Sequence, residues 1–180
     1  MDEHEEHILL IDEEDQVVGT GEKLAVHRQG LLHRAFSVLI YDRDGLWLLQ
    51  QRALTKYHSG GLWSNTCCGH PRPHEEVGDA AMRRLYEEMG FSCALSPLGT
   101  NRYRTDFDNG LTENELVHVF AGAYDGAVRA DPAEAADYAW VEPDVVRSAV
   151  EDDPSSYSVW FRKYLREMWP ALIEMTQAAR

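Results

Sequence analysis

Cysteine is scarce in this chain, and its distribution excludes a disulfide scaffold: three occur among 180 residues, and two of them, Cys67 and Cys68, are adjacent. An odd set of this kind suits a reducing compartment, so the expected location is cytoplasmic and a free thiol is expected. Basic residues are also few, 17 Lys and Arg against 31 Asp and Glu, for a formal net charge of -14. That balance repels a nucleic acid backbone, and no long basic run offsets it. It does not exclude a small anion, which responds to the local field of a few cations or a bound metal. Long apolar runs are missing too, since 37–40 and 46–49 are far too short to span a membrane. The acidic opening Met1-Asp2-Glu3-His4-Glu5-Glu6-His7 does not read as an export signal. The expectation is one soluble domain over residues 1–180, with no nucleic acid or membrane partner, working as a monomer or weak homodimer. Residues 1–7 are expected to be disordered or solvated, with His4 and His7 outside any metal tract.

Local patterns alternate between strand and helix. Residues 8–11 and 17–19 read as a hairpin around a turn at 12–15, and 22–28 as about two helical turns. The clearest hairpin joins strands 35–41 and 46–51 through Asp42-Arg43-Asp44-Gly45. Residues 79–89 form the best short helix, with Ala81, Leu85 and Met89 on one face and Gly90 placed as its cap. Strands at 116–124 and 138–141, a helix at 143–150 and a C-terminal helical segment at 157–178 follow. Pro170 is expected to break or restart the last of these. Helices flanking a mixed sheet make an α/β layered domain.

One unit concentrates the chemistry. Asn65-Thr66-Cys67-Cys68-Gly69-His70-Pro71 sets a thiol and an imidazole at the entrance of a longer pattern. That pattern is Gly69, five residues, Glu75, seven residues, Arg83, Arg84, Leu85, any residue, Glu87, Glu88, any residue, Gly90, Phe91. Glu87 and Glu88 lie in the last helical turn, where the helix dipole disfavours anions, so a metal or a neighbouring basic residue is needed to explain them. The pattern resembles the Nudix box, in which carboxylates hold divalent metal against a diphosphate, except that Arg84 stands where the usual pattern has Glu. Together with the Cys-Gly-His entrance, this departure resembles one branch, the type I isopentenyl diphosphate isomerases. In that branch the box binds a diphosphate without hydrolysing it. The resemblance runs from Lys23 to Trp160 and implies an α/β/α Nudix-like sandwich with a mixed β-sheet.

Site residues follow from parity and from the resemblance. In Glu113-Asn114-Glu115 both carboxylates face one side of an extended segment, whereas His118 has the opposite parity and is read as outside the site. Two carboxylates with imidazoles from His27, His33 and His70 make a mixed nitrogen and oxygen shell suited to Mn²⁺, Zn²⁺ or Mg²⁺. Spacing alone leaves His27 and His33 open; the resemblance assigns both, with His70, Glu113 and Glu115, to the metal. Cys67 and Cys68 compete for one role, and the family's Cys immediately before Gly-His selects Cys68. Cys93 belongs to no motif. The resemblance further implies Lys23, Arg52, Lys56 and Arg84 as diphosphate contacts. It implies Mg²⁺ on Glu88, with the Cys68 backbone carbonyl as a second ligand. Glu75 and Glu87 are read as ion-pair partners of neighbouring bases.

The implied reaction moves a double bond. Protonating an alkene approaches a tertiary carbocation, which calls for an acid, a base, exclusion of water and an electron-rich surface. By resemblance, Cys68 and Glu115 are the acid–base pair, Tyr103 orients or relays a proton at Glu115, and the Trp160 ring faces the cation. Two other readings stay open at this point: a Nudix pyrophosphohydrolase, which Arg84 weakens, and a structural metal site in a binding module.

Overall fold

A computed structural model describes residues 6–177. The chain begins with the expected hairpin, β1 (His7–Ile11) and β2 (Val17–Glu22), and runs directly into α1 (Lys23–Gln29). Glu22 starts this helix: its carboxylate accepts the N–H groups of Leu24 and Ala25, each at 2.8 Å, which the first turn otherwise leaves unpaired. Gly30 stops it in the left-handed conformation, with φ 62°.

The hub is β3 (His33–Tyr41), antiparallel to β1, β4 (Trp47–Arg52) and β6 (Cys67–Gly69) and parallel to β8 (Thr112–Ala123). With β5 (Trp63–Ser64), β7 (Ser96–Asp106) and β9 (Ala135–Val141) it forms a nine-stranded mixed sheet. Alternation along β3 divides the core. Phe36, Val38 and Ile40 pack with Ala81, Leu85 and Met89 of α2 (Val77–Met89), while Ala35 and Leu39 belong with Phe161, Tyr164 and Leu172 of α4 (Val159–Gln177). Between them α3 (Pro143–Asp152) contributes Val146 to the second cluster. A strand covered on both faces is apolar on both, which is why 38–41 of β3 form a continuous apolar run in place of alternation. The expected α/β/α sandwich is the observed fold.

Three local expectations are corrected. Glu6 and His7 are not a solvated tail: His7 opens β1 and Glu6 is ion-paired to Lys23 at 3.1 Å, while His4 lies outside the described residues. The break at Pro170 does not occur, and α4 continues to Gln177. Buried Leu165 and Leu172 anchor the helix on both sides of an exposed Pro170, and Thr176 accepts the Trp47 indole N–H at 2.9 Å. Packing outweighs the one hydrogen bond that proline removes. The third correction is β7, which has no counterpart in the sequence reading. Only Asn101 and Tyr103 of its eleven residues are buried, so it carries little apolar signal and is held chiefly by its ladder to β8. Among the described residues no helix is long and apolar enough to cross a membrane.

Candidate active site

Strand register assembles the site. His33 stands opposite Glu115 in the parallel β3/β8 pair, and Tyr103 stands opposite Glu115 in the antiparallel β7/β8 pair. Pairing of β6 with β3 sets Cys68 opposite Ser37. Along β8, Glu113, Glu115 and Val117 are buried and the alternate residues less so, as the Glu-Asn-Glu parity predicts. His118 lies outside the site, with Nε2 2.9 Å from Asp15.

His27, His33, His70 and Glu115 are all buried and each offers a ligand atom within 4.8 Å of the others. Nδ1 of His27 is 2.6 Å from the Lys23 carbonyl oxygen, and Nδ1 of His33 is 2.8 Å from that of Leu31. A carbonyl only accepts, so each Nδ1 carries the proton and each Nε2 is left with a lone pair. Both Nε2 atoms are buried without a hydrogen bond. Burial, followed by His70 and His33, pushes His27 down to about 3, so it stays neutral. His33 behaves differently: burial lowers its pKa, but Glu115 outweighs burial and the net direction is up. Its Nε2 is 3.3 Å from Glu115 Oε1, a gap that a second proton or a cation fills. His70 Nε2 reaches the same oxygen at 3.0 Å. Burial works to raise the Glu115 pKa, yet the adjoining His33 and His70 imidazoles outweigh it and hold the carboxylate well below its usual range. Imidazole nitrogens without a hydrogen bond, buried beside a carboxylate, fit a divalent cation.

The remaining expected ligands stand beside this cluster. Glu113 binds the Tyr103 hydroxyl and, at 3.0 Å, His58 Nε2. Glu88 takes Arg84 at 2.8 Å and the Gln50 amide at 2.8 Å. The Cys68 sulfur is 4.0 Å from Arg52 Nη1. Cys68 is half-buried on the cleft wall, and burial pushes its pKa up to about 12 despite the opposing Arg52 charge.

A cleft of about 320 Å³ gathers the chemistry, with Cys68, Tyr103, Glu115 and Trp160 on its wall. Lys23, Arg52, Lys56 and Arg84 line it as well. Arg52 lies over the Trp160 ring, 5.1 Å from its centroid, so that face already accommodates a cation.

Similarity to known proteins agrees with this geometry. The NUDIX domain family matches residues 31–163. A Burkholderia multivorans protein named isopentenyl-diphosphate Delta-isomerase is 52% identical over 157 residues, covering 87% of this chain and 89% of the relative. Another of that name, from Streptomyces avermitilis, is 48% identical, covering 93% of this chain and 85% of the relative. The chain belongs to the Nudix family, in its isopentenyl-diphosphate isomerase branch. Among solved structures, DR0079 from Deinococcus radiodurans aligns with a TM-score of 0.76 at 15% identity, over 90% of this chain and 98% of that one, a likeness of fold.

The Nudix box has become an ion-paired scaffold here. Arg83 grips Glu75 through two hydrogen bonds, 2.7 Å and 2.9 Å, and Glu75 also caps the Arg72 N–H at 2.9 Å. Glu87 pairs with Arg83 and Arg84, which accounts for an anion in the last turn of α2. Gly90 terminates that helix at φ 76°, and a Cβ there would meet the Arg129 carbonyl oxygen at 2.5 Å. Two site residues escaped the sequence reading. His58 is buried, stacked on Phe107 at 4.9 Å and edge-on to Trp160 at 5.7 Å. Its place two residues after Lys56 was the available signal. Glu134 lies between Lys56 and Arg84, and nothing in its local sequence marked it.

Proposed function

We propose that this chain interconverts isopentenyl diphosphate and dimethylallyl diphosphate. The observation that carries the reading is that Cys68 and Glu115 line one cleft, where burial raises the thiol's pKa and the neighbouring imidazoles lower the carboxylate's. In the forward direction the Cys68 sulfur gives its proton to the terminal alkene carbon, leaving a tertiary cation at the branched carbon. A proton from the neighbouring methylene then passes to Glu115 Oε2, and its C–H electrons become the new double bond. Oε2 is the oxygen that the Tyr103 hydroxyl binds at 2.8 Å, while Oε1 faces His33 and His70. The reverse direction exchanges the roles of acid and base. Trp160 offers its ring face to the cation, worth about 2 kcal/mol when desolvated.

Lys23, Arg52, Lys56 and Arg84 are the proposed diphosphate contacts, with Arg84 replacing a hydrolytic carboxylate by a phosphate-binding fork. His27, His33, His70 and Glu115 are the proposed holders of Mn²⁺, Zn²⁺ or Mg²⁺, with Glu113 as a further carboxylate donor on the same face of β8. A second site for Mg²⁺ is proposed at Glu88 and the Cys68 carbonyl. When bound, these ions supply positive charge that keeps Glu115 ionised and offsets the diphosphate. A location in the cytoplasm, a monomer or weak homodimer, and no nucleic acid or membrane partner complete the reading. The location and the absence of a nucleic acid partner are supported by free thiols and the acidic balance.

In D₂O with Mg²⁺ and a second divalent metal, the protein is expected to convert isopentenyl diphosphate into deuterated dimethylallyl diphosphate without releasing phosphate. Unlabelled product, no product, or phosphate release overturns the reading.

A further inference from the structure

Glu134 lies in the segment between β8 and β9, and a single one of its oxygens, Oε2, is 2.5 Å from Lys56 Nζ and 3.0 Å from Arg84 Nη2. Two cations converging on one oxygen is how a non-bridging phosphate oxygen is held. The arrangement is anchored on both sides. The Glu134 carbonyl accepts the Ala53 N–H at 2.9 Å, tying it to the loop that carries Lys56. The Asp131 N–H reaches the Glu88 carbonyl at 2.8 Å, tying the same segment to the helix that carries Arg84. All three side chains are largely withdrawn from water, being 18%, 9% and 21% exposed for Glu134, Lys56 and Arg84, so their charges are weakly screened.

The charge around the cleft sharpens the point. Five Lys and Arg face seven Asp and Glu on its wall, so an arriving diphosphate meets more negative than positive side-chain charge. Either metal must offset that excess or a carboxylate must yield its cations. Glu88 is held from a second side by Gln50, at 2.8 Å, and sits within a regular helix. Glu134 sits outside any helix or strand and occupies two of the cations a diphosphate needs.

We propose that Glu134 is an internal stand-in for the substrate's phosphate: it keeps Lys56 and Arg84 converged in the free protein and leaves them when diphosphate enters. It is a positioning residue that sets how tightly the anion binds, and it takes no part in proton transfer. The inference rests on the diphosphate reading above, and its test separates the two.

Inorganic pyrophosphate binding to Glu134→Gln and to the natural protein, measured by calorimetry in Mg²⁺ buffer, reads the competition directly. The variant is expected to bind pyrophosphate roughly tenfold more tightly, because an occupying negative charge is gone. KM for isopentenyl diphosphate falls in parallel, kcat stays near its original value, and the melting temperature of the free protein drops as Lys56 and Arg84 each lose one carboxylate contact. Glu134→Ala provides the same comparison with the side chain removed. Unchanged or weaker pyrophosphate binding in the folded variants overturns the proposal. Failure of the natural protein to isomerise isopentenyl diphosphate would instead overturn the functional reading, whatever the pyrophosphate comparison gives.

Discussion

The Tyr103 hydroxyl donates to Glu115 Oε2 at 2.8 Å from directly across the β7/β8 ladder. The same hydroxyl meets Glu113, and one O–H proton can serve only one carboxylate at a time. Burial first, and then the two carboxylates, raise the Tyr103 pKa well above its ordinary value, so the hydroxyl keeps its proton. Glu115 thereby presents Oε2 to Tyr103 and Oε1 to His33 and His70.

Tyr103→Phe removes the donor and leaves the ring's packing intact. Turnover is expected to fall roughly ten- to hundredfold, at or below the low end of what a general acid or base itself contributes, because Tyr103 orients the carboxylate. Metal content measured by atomic absorption should stay unchanged, since Glu115 Oε1 is untouched.

Cys68 should resist alkylation. With its pKa pushed up to about 12 by burial, little thiolate exists at pH 8, so iodoacetamide labelling is slow and accelerates with each step in pH toward 10. Site-resolved mass spectrometry separates Cys68 from Cys93, which burial raises to about 11. Cys68→Ala is expected to cost about 10²–10⁴ in turnover, the usual worth of a general acid, with metal retained.

The imidazole cluster should couple metal to stability. A divalent ion at a hundred times its Kd stabilises a folded protein that alone binds it by about 2.7 kcal/mol. The melting temperature is therefore expected to rise with added Mn²⁺ or Zn²⁺ and to fall back with chelator. In His33→Ala that rise should be much reduced, because a ligand facing Glu115 is gone.

Acid should weaken the Glu75–Arg83 ion pair of the box and lower stability. The hydrogen bonds from Arg83 hold Glu75 below its ordinary value of 4.5. A carboxylate whose pKa is lower in the folded than in the unfolded state adds stability above the unfolded pKa. That contribution is lost as pH falls through the folded value. A plot of melting temperature from pH 6 to pH 3 should steepen below 4.5, and Arg83→Met should flatten that part of the curve.

Legibility in the sequence followed the strength of local signals. The box helix and the Glu113/Glu115 parity were readable because each repeats at a fixed period, and the hub strand because its apolar run ends at the Asp42-Arg43-Asp44-Gly45 turn. Resemblance to the isomerases selected His27, His33 and Cys68, which spacing left open. What escaped depends on partners remote in sequence. β7 exists because β8 is beside it, Pro170 is carried by packing on either side, and Glu134 matters only because folding places it between Lys56 and Arg84.

The parallel register of His33 with Glu115 has a consequence for synthesis on the ribosome. The first hairpins can pair as soon as they emerge, but β3 lacks its parallel neighbour until β8 has left the exit tunnel. Throughout that interval His27, His33 and His70 are present without the carboxylate that completes their cluster. Metal capture at the proposed site is therefore expected to coincide with the late closing of the central sheet, and a nascent chain stalled before Thr112 is expected to hold the ion poorly.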